Sequence, residues 1–333
     1  LPADTLPADT LSPDSAGPPA TALAAFPLQR EQLDAQIWDS APDGQGGVFI
    51  VGSLTGSLQL GSVSLCASDQ DILMARLDAQ GNVLWAKTFG GLGDDLASRV
   101  AVGANGEITV TGTLADTADF GGGVVKTQLP EEIFLARFDA NGHHRWSLSF
   151  GTKGMDYPSE VAVDGSGNVV LYGHLDFFST KRTSFLARYS ASGVLQWKRT
   201  VTGTSRIGYV AASAGGDLFL GGSLSGSTFD LGAGPITTPP DSRSFVTRLS
   251  SAGVPTWTTF FKGPGSLYLD AAALKTNASS LLSLYSTVPV DLGSGPISGA
   301  RLLQVDGNGA LVWDKALPVR ARRIGVGAQG AIT

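Results

Sequence analysis

Short segments in which apolar and polar residues alternate recur along most of the chain, each bounded by Gly, Asp or Asn. Between residues 98 and 150 the segments are SRVAV, EITVTGTL, EIFLARFD and HHRWSLSF, separated by GANG, a long polar insertion and ANG. Alternation and β-branched content are typical of strands, and Gly, Asp and Asn suit tight reversals. The pattern predicts four consecutive antiparallel strands.

This four-strand unit is repeated, and a tryptophan marks each copy. The tryptophans stand 61, 51, 60 and 56 residues apart, each four residues after a glycine, whereas Trp38 falls outside the register. The pairs are Gly81 and Trp85, Gly142 and Trp146, Gly193 and Trp197, Gly253 and Trp257, and Gly309 and Trp313. We expect the glycine to make the turn between the last two strands and the tryptophan to pack as a wedge between adjacent sheets. An exposed row of ligand-stacking tryptophans is the alternative.

A four-stranded unit of this length is the size of a propeller blade. The approximate repeats are 37–95, 96–157, 158–206, 207–266 and 267–321, with a partial sixth at 322–333. The sequence therefore predicts an all-β fold, a β-propeller of four-stranded antiparallel blades within residues 26–333. Because the last repeat stops partway, we expect either an intact protein of six or seven blades or a closing strand from TALAAFPLQREQL.

Two other segments depart from the repeat. Residues 1–25 are rich in Pro, Ala and Thr and are predicted to form a disordered tether, as in an exported or surface-anchored protein, or an inter-domain linker. The fifth repeat lacks the glycine that the others place at Gly52, Gly112, Gly173 and Gly222, so we expect a degenerate blade.

Composition narrows the choice of partners. Charged residues make up 16% of the chain, and the net charge of −6 gives no electrostatic footprint for nucleic acid. Cys66 is the single cysteine, which excludes an internal disulfide, and the short basic run RARR at 320–323 is expected to be a solvated loop. No run of 18 apolar residues would span a bilayer. We expect a monomer with no transmembrane segment and no nucleic-acid partner.

Loop lengths point to one face as the functional one. The long insertions follow the second strand of each repeat, and alternating strand direction brings them to the face of the connectors between repeats. Loops on a rigid scaffold are where binding usually occurs. Candidate ligand-binding residues on this face are Asp95, Asp156, Tyr157, Arg206 and Tyr268. The alternative for Asp95 and Asp156 is hydrogen bonding to the backbone of their connectors.

The insertions contain LQLG, ADFG, FDLG and VDLG, which predict an extra small hairpin packed over the sheet. The Asp-bearing turns DGQGG, DAQGN, DGSGN and DGNGA each offer one carboxylate, too few for calcium, so we expect turn chemistry there. His143 and His144 are adjacent on a predicted strand and point to opposite faces, and His174 is alone. The sequence therefore predicts no catalytic residue, no metal site and no cofactor.

The repeats FGGLGDDLASRVAVGANGEITVTG and DILMARLDAQGNVLWAKT resemble the bacterial SBBP family of seven-bladed β-propeller repeats over residues 37–333. The stretch DAQGNVLW, with Ala75 upstream, also resembles the tryptophan-docking motif of quinoprotein propellers. The SBBP resemblance implies an exported or cell-surface bacterial protein and attaches no activity to the repeat.

Together these features favour a non-enzymatic binding scaffold, secreted or on the cell surface, that presents one elaborated face to a protein or glycan. The alternative is a propeller enzyme, polysaccharide-degrading or quinoprotein-like, with its site at the mouth or in a missing segment. Uniformly short loops would have favoured a purely structural spacer, but the loops of this chain are not uniform.

Overall fold

The computed structural model describes residues 34–129, 131–180, 182–224, 226–262, 268–274, 279–291 and 295–320. The chain divides into two compact units, residues 1–32 and residues 33–333, and every described residue belongs to the second. The expected tether, the alternative closing strand and the partial sixth repeat lie outside the described residues. Every regular element in the described ranges is a β-strand, so the all-β prediction is confirmed.

Five four-stranded antiparallel units, here called blades 1 to 5, follow one another along the chain. Blade 1 contains β1 (Asp34–Pro42), β2 (Val48–Leu60), β3 (Val63–Leu77) and β4 (Val83–Phe89). Blade 2 runs through β5 (Leu96–Val102), β6 (Ile108–Leu114), the small hairpin of β7 (Thr117–Asp119) and β8 (Val124–Lys126), β9 (Glu132–Phe138) and β10 (His144–Phe150). Blade 3 contains β11 (Tyr157–Val163), β12 (Val169–Leu175), β13 (Thr183–Tyr189) and β14 (Leu195–Val201).

Blade 4 runs through β15 (Thr204–Ala212), β16 (Leu218–Leu224), the small hairpin of β17 (Thr228–Asp230) and β18 (Pro235–Thr237), β19 (Ser242–Leu249) and β20 (Pro255–Lys262). Blade 5 contains β21 (Tyr268–Leu274), β22 (Ser280–Asp291), β23 (Pro296–Val305) and β24 (Leu311–Ala316). One residue pair, Lys262 with Asp291, joins blades 4 and 5 edge to edge. Tyr157 and Arg206 open or nearly open a blade, whereas the repeat boundaries read from the sequence placed them at the ends of repeats.

The first strand of each blade lies against the first strand of the next, in the order β1, β5, β11, β15, β21. Buried apolar side chains fill the space between blades 1 and 2, 2 and 3, 3 and 4, and 4 and 5. Twisted sheets that meet along their first strands and pack face to face form a β-propeller. The predicted fold class is thus confirmed, and blade 5 keeps the common strand order although its sequence is degenerate.

The tight turns share one construction. Each of the nine described turns within the blades has five residues, and its first residue donates a backbone hydrogen bond to the carbonyl of the fifth. In all of them except the turn that starts at Asp43, the first residue also accepts a backbone hydrogen bond from the fourth. Where the first residue is Asp, as in Asp43, Asp78, Asp139, Asp164 and Asp306, its carboxylate also accepts two backbone N–H groups of the turn. The predicted turn chemistry is confirmed for Asp43, Asp78, Asp164 and Asp306, and Asp139 shows the same arrangement without having been predicted.

The repeated glycine of the second strand faces a β-bulge in the first. In blade 2 the bulge falls between Ala97 and Arg99, with Ala97 opposite Gly112. A Cβ atom on Gly112 would overlap the carbonyl oxygen of Leu96, because the bulge turns that oxygen toward the neighbouring strand. Blade 5 has the same bulge, with Leu269 opposite Leu284. The missing glycine therefore does not remove the bulge.

Among the described residues, each repeat tryptophan except the last contacts the next blade. The indole Nε1 of Trp85 donates to Ala140 O (3.1 Å), that of Trp146 to Ala191 O (2.8 Å) and that of Trp197 to Ser251 O (3.1 Å). The rings of Trp85, Trp146, Trp197 and Trp257 lie over Gly142, Gly193, Gly253 and Gly309, which leave no room for a Cβ atom without displacement. The wedge prediction is confirmed for these four. Trp313 donates instead to Gln304 of its own blade.

An arginine of the third strand ties each of blades 1 to 4 to the next blade. Arg137, 1% exposed, pairs with Glu107 of its own blade (2.9 Å) and donates through Nη1 to Gly167 O of blade 3 (2.6 Å). Arg76, Arg188 and Arg248 pair with Asp43, Asp164 and Asp217 and donate to carbonyls of the following blades. In blade 5 this position is Gln304. Sequence reasoning missed the arginine, although it stands nine residues before each of the first four repeat tryptophans.

The insertions after the second strand cover one end of the blades. Those of blades 2 and 4 form the predicted small hairpins, whose Phe120 and Phe229 are buried against Phe134 and Phe245. In blade 1 the insertion extends β2 and β3 into one long hairpin. Blade 3 has only the short loop 176–182 at this position. Blade 3 therefore has the shortest insertion.

Candidate functional site

Three of the five candidate residues occupy one register position in the first strands. Tyr157 pairs with His174, Arg206 with Ser223 and Tyr268 with Tyr285, in each case two residues before the bulge. Because β11, β15 and β21 pack side by side, these three residues lie at the same level of the molecule. The repeat boundaries drawn from the sequence had hidden this equivalence.

A cavity of about 310 Å³ opens where the first strands of blades 2, 3 and 4 meet the short loop of blade 3. That volume is at the lower end of the range for small-molecule sites. Its lining consists of Arg99, Tyr157, Ser159, Glu160, His174, Phe177, Arg182, Arg206 and Ile207. Of the candidate residues, Tyr157 and Arg206 line it, and Asp95, Asp156 and Tyr268 do not.

Positive charge dominates the cavity although the chain carries a net charge of −6. Arg99 holds its Nε 3.6 Å from the Glu160 carboxylate and donates through Nη1 to Ser98 O. Arg182 and Arg206 are exposed, and neither guanidinium has a hydrogen bond or ion pair with any described residue. A guanidinium carries five N–H donors in a planar fork, so these two groups have donors available for a ligand.

Aromatic rings also line the cavity. Phe177 lies 6.0 Å from the ring of Tyr157 and 5.3 Å from the ring of His174, with the guanidinium of Arg182 5.1 Å from its centre. Phe178, at the rim, is 79% exposed. Exposed aromatic rings beside free arginines are typical of binding surfaces.

His174 is the buried polar group of the cavity. Its Nδ1 lies 2.9 Å from Ser184 Oγ, and its Nε2 has no hydrogen-bond partner among the described residues. Burial, together with the charges of Arg182 and Arg206, lowers the pKa of His174 to about 4. The ring is therefore neutral at pH 7 and can donate or accept one hydrogen bond at Nε2.

Asp95 is fully buried beneath the connector between blades 1 and 2. Its carboxylate accepts hydrogen bonds from Gly91 N (2.9 Å) and Ala115 N (2.9 Å). Burial raises the pKa of Asp95 to about 6, against the lowering effect of these two bonds, and the nearby charge of Asp71 adds to the rise. This geometry matches the alternative in which Asp95 organises the connector.

Asp156 performs the same task between blades 2 and 3. It is fully buried and accepts hydrogen bonds from Thr152 N, Thr152 Oγ1 (2.8 Å) and Asp176 N (2.9 Å). Tyr268 is half exposed, with the guanidinium of Arg320 5.3 Å from its ring centre and 4.6 Å from that of Tyr285. Arg320 opens the basic run RARR, whose remaining residues lie outside the described ranges.

Sequence reasoning missed most of the cavity. Arg99 and Glu160 share one position just after the bulge in two neighbouring blades, and aligning the first strands would have shown it. Phe177 and Arg182 belong to the loop whose sequence, DFFSTKR, does not follow the repeat. Among the described residues no group of three or more His, Cys, Asp or Glu side chains converges as metal ligands would.

No family model matches the chain, so the resemblance to SBBP repeats stays a prediction. An uncharacterized WD repeat-containing protein of Acanthamoeba polyphaga mimivirus is 21% identical over 276 residues, which cover 64% of this chain and 20% of that protein. The matched region thus spans about a fifth of the relative.

Similar solved structures include the Pan2 WD40 domain of Neurospora crassa, with 9% identity, a TM-score of 0.46 and coverage of 87% of this chain and 68% of that one. The apocarotenoid oxygenase of Synechocystis, as a Glu-to-Gln mutant, gives 12% identity, a TM-score of 0.45 and coverage of 87% and 63%. A protein of unknown function from Bacteroides caccae is 12% identical, with a TM-score of 0.38 and coverage of 79% of this chain and 92% of that one. None of the described residues forms a helix with the length and apolar character of a membrane span.

Proposed function

We propose that this chain is a non-enzymatic binding module that holds part of a glycan or protein ligand in the cavity lined by Tyr157 and Arg206. The observation that carries the proposal is a cavity with two unpaired arginines on the face that bears the insertions. The packed first strands of blades 2, 3 and 4 hold most of the lining in place, so binding requires little ordering of those side chains.

The cavity chemistry favours binding over catalysis. Its described lining supplies one carboxylate, Glu160, which lies beside Arg99, whereas glycoside hydrolysis uses a pair of carboxyl groups. The one histidine is neutral and hydrogen-bonded to a serine. The buried carboxylates Asp95 and Asp156 are occupied with backbone N–H groups.

A cavity-blocking variant tests the proposal. Ser159→Phe places a large ring in the cavity without changing the charge, and Ser192→Phe places the same ring on an exposed turn at the opposite end of blade 3. Ligands found by screening the full chain on glycan and peptide arrays should lose binding in the first variant and keep it in the second. Equal binding by both variants and the parent would show that the cavity is not the site.

An exported or cell-surface location and a monomeric state belong to the same proposal. They rest on the sequence resemblance and on the composition of residues 1–25. Surface labelling of intact cells and sedimentation of the purified chain would test them.

A further inference from the structure

We infer, on the basis of the proposed function, that the cavity takes an acidic sugar: Arg182 and Arg206 receive its carboxylate, and Tyr157 and Phe177 pack against its ring. Three independent features of the lining support this inference: its positive charge, its apolar surface and its groups that can hydrogen-bond to hydroxyls.

The charge selects an anion. The lining holds three guanidinium groups and one carboxylate, and Glu160 has Arg99 as its neighbour at 3.6 Å. Two positive groups, Arg182 and Arg206, are left without an acidic partner among the described residues. Both line the same cavity, together with His174. Arginine binds carboxylates through two parallel N–H donors, and a pair so placed can bind one anionic group from two sides.

The apolar surface selects a ring rather than a bare ion. Tyr157 is 38% exposed and lies 6.0 Å from Phe177, so an aromatic surface borders the arginines. The C–H groups of a pyranose form an apolar face that packs on aromatic rings. An inorganic phosphate or sulfate has no such face and would leave these rings unused.

The remaining groups suit hydroxyls. Ser159 Oγ, the Tyr157 hydroxyl and His174 Nε2 have no hydrogen-bond partner among the described residues. A hydroxyl and a neutral imidazole each donate or accept, which matches the hydroxyls of a sugar. A long-chain fatty acid would leave these groups without partners, at a cost in binding free energy.

Isothermal titration calorimetry of the full chain tests the inference. The panel contains oligosaccharides of galacturonic, glucuronic, mannuronic and guluronic acid, their methyl esters, hexaglutamate, and inorganic sulfate. At least one uronate oligosaccharide should bind, and its affinity should fall tenfold or more when its carboxylates are esterified. Binding should also weaken as sodium chloride rises from about 50 to 300 mM, since salt screens the exposed arginines.

Two matched variants test whether Arg206 binds the carboxylate of the ligand. Arg206→Gln should weaken the acidic ligand tenfold or more, whereas Arg243→Gln, an exposed arginine of blade 4 outside the cavity lining, should change it less than twofold. The Arg206 guanidinium has no hydrogen bond or ion pair with any described residue, so its variant should fold, and circular dichroism checks this. Equal losses in both variants would mean nonspecific attraction and overturn the inference.

The other outcomes separate the two proposals. The ligands found can instead be neutral sugars or peptides. If their binding is lost in Ser159→Phe and unchanged in Arg206→Gln, the cavity is a binding site and the acidic-sugar inference is wrong. If hexaglutamate or sulfate binds more tightly than every uronate oligosaccharide, the sugar part is wrong. If no uronate oligosaccharide binds, the inference is overturned. If the array ligands also bind Ser159→Phe as well as they bind the parent, the proposed function fails too.

Discussion

Asp95 shows how a buried carboxylate can organise a connector. It accepts backbone N–H groups from Gly91, before it, and from Ala115, at the end of β6. Asp71, also buried, has its Oδ1 without a hydrogen-bond partner, and burial raises its pKa. Two buried carboxyl groups near one another disfavour double ionisation. The junction of blades 1 and 2 should therefore respond to pH.

The pH response of Asp95 has a definite sign. Its pKa is about 6 in the folded chain and 3.8 as the ordinary value, so the folded state holds the proton more tightly. Its contribution to the free energy of unfolding is complete below pH 3.8 and is lost as pH rises through 6, by about 3 kcal/mol. Asp95→Asn cannot titrate, so the difference in unfolding free energy between parent and variant should change by most of that amount from pH 4 to 7.

Urea denaturation at each pH measures this difference. Asp94→Asn is the control, because Asp94 is the exposed neighbour in the same connector. A difference between parent and Asp95→Asn that stays constant with pH would contradict the assignment.

At the scale of elements, the glycine before each tryptophan has two separable roles. Gly193 and Gly81 both close five-residue turns with nearly equal φ, +82° and +83°. A Cβ atom on Gly193 would lie 2.8 Å from the ring of Trp146, whereas one on Gly81 would have no neighbour within 4 Å. The first position combines the turn with tryptophan packing, and the second has the turn alone.

Alanine at the two positions should therefore differ in effect. Gly81→Ala carries only the cost of a positive φ, about 1 kcal/mol. Gly193→Ala also displaces the Trp146 ring and should lower the free energy of unfolding by about 1–3 kcal/mol more. Urea unfolding with tryptophan fluorescence gives both values, and equal losses would show that the ring contact contributes nothing.

The bulge glycines predict a larger effect. In Gly112→Ala the new Cβ overlaps a backbone oxygen that no rotamer change can move, so we expect a loss of about 3 kcal/mol or more in unfolding free energy. Gly215→Ala is the control, since its nearest atom would be Ser213 Oγ at 3.9 Å and its φ is not positive. Thermal and urea unfolding compare the two, and a loss under 1 kcal/mol for Gly112→Ala would contradict a close backbone approach.

At the scale of the whole molecule, the blades are coupled in sequence, each to its neighbours. The first strands, the tryptophans and the arginines of the third strands all cross the same junctions. Repeat arrays with strong junctions unfold together, and a weakened junction loosens its two neighbours first. Arg137 tests this because it bonds within blade 2 and to blade 3 at once.

Arg137→Met should lower the free energy of unfolding by about 2–4 kcal/mol, since it removes the buried guanidinium that bonds to both Glu107 and Gly167 O. Hydrogen exchange should rise in the turn 164–168 and stay unchanged in the turn 306–310. Arg145→Met is the control: its side chain is 55% exposed and 3.9 Å from Glu107, so it should cost less than about 1 kcal/mol. Equal effects of the two variants would refute the coupling role.

The sequence alone was enough to predict the fold, because each blade repeats the same short-range sequence pattern. Alternation set the strands, Asp and Gly set the five-residue turns, and the periodic tryptophan indicated repeated sheets that pack on one another. These signals act over a few residues, so they can be read without knowing the rest of the molecule. The hairpin insertions were predictable for the same reason.

The site was decided by the tertiary structure. Tyr157 and Arg206 were named from the chain, but their common level, and their meeting with Arg99, His174, Phe177 and Arg182, follows from how three blades pack. The roles of Asp95 and Asp156 were open until their backbone partners, up to 20 residues away, were placed. Hydrogen bonds and charges depend on distances between strands, and those distances are set by the bulges and by the packing between blades, which no local pattern specifies.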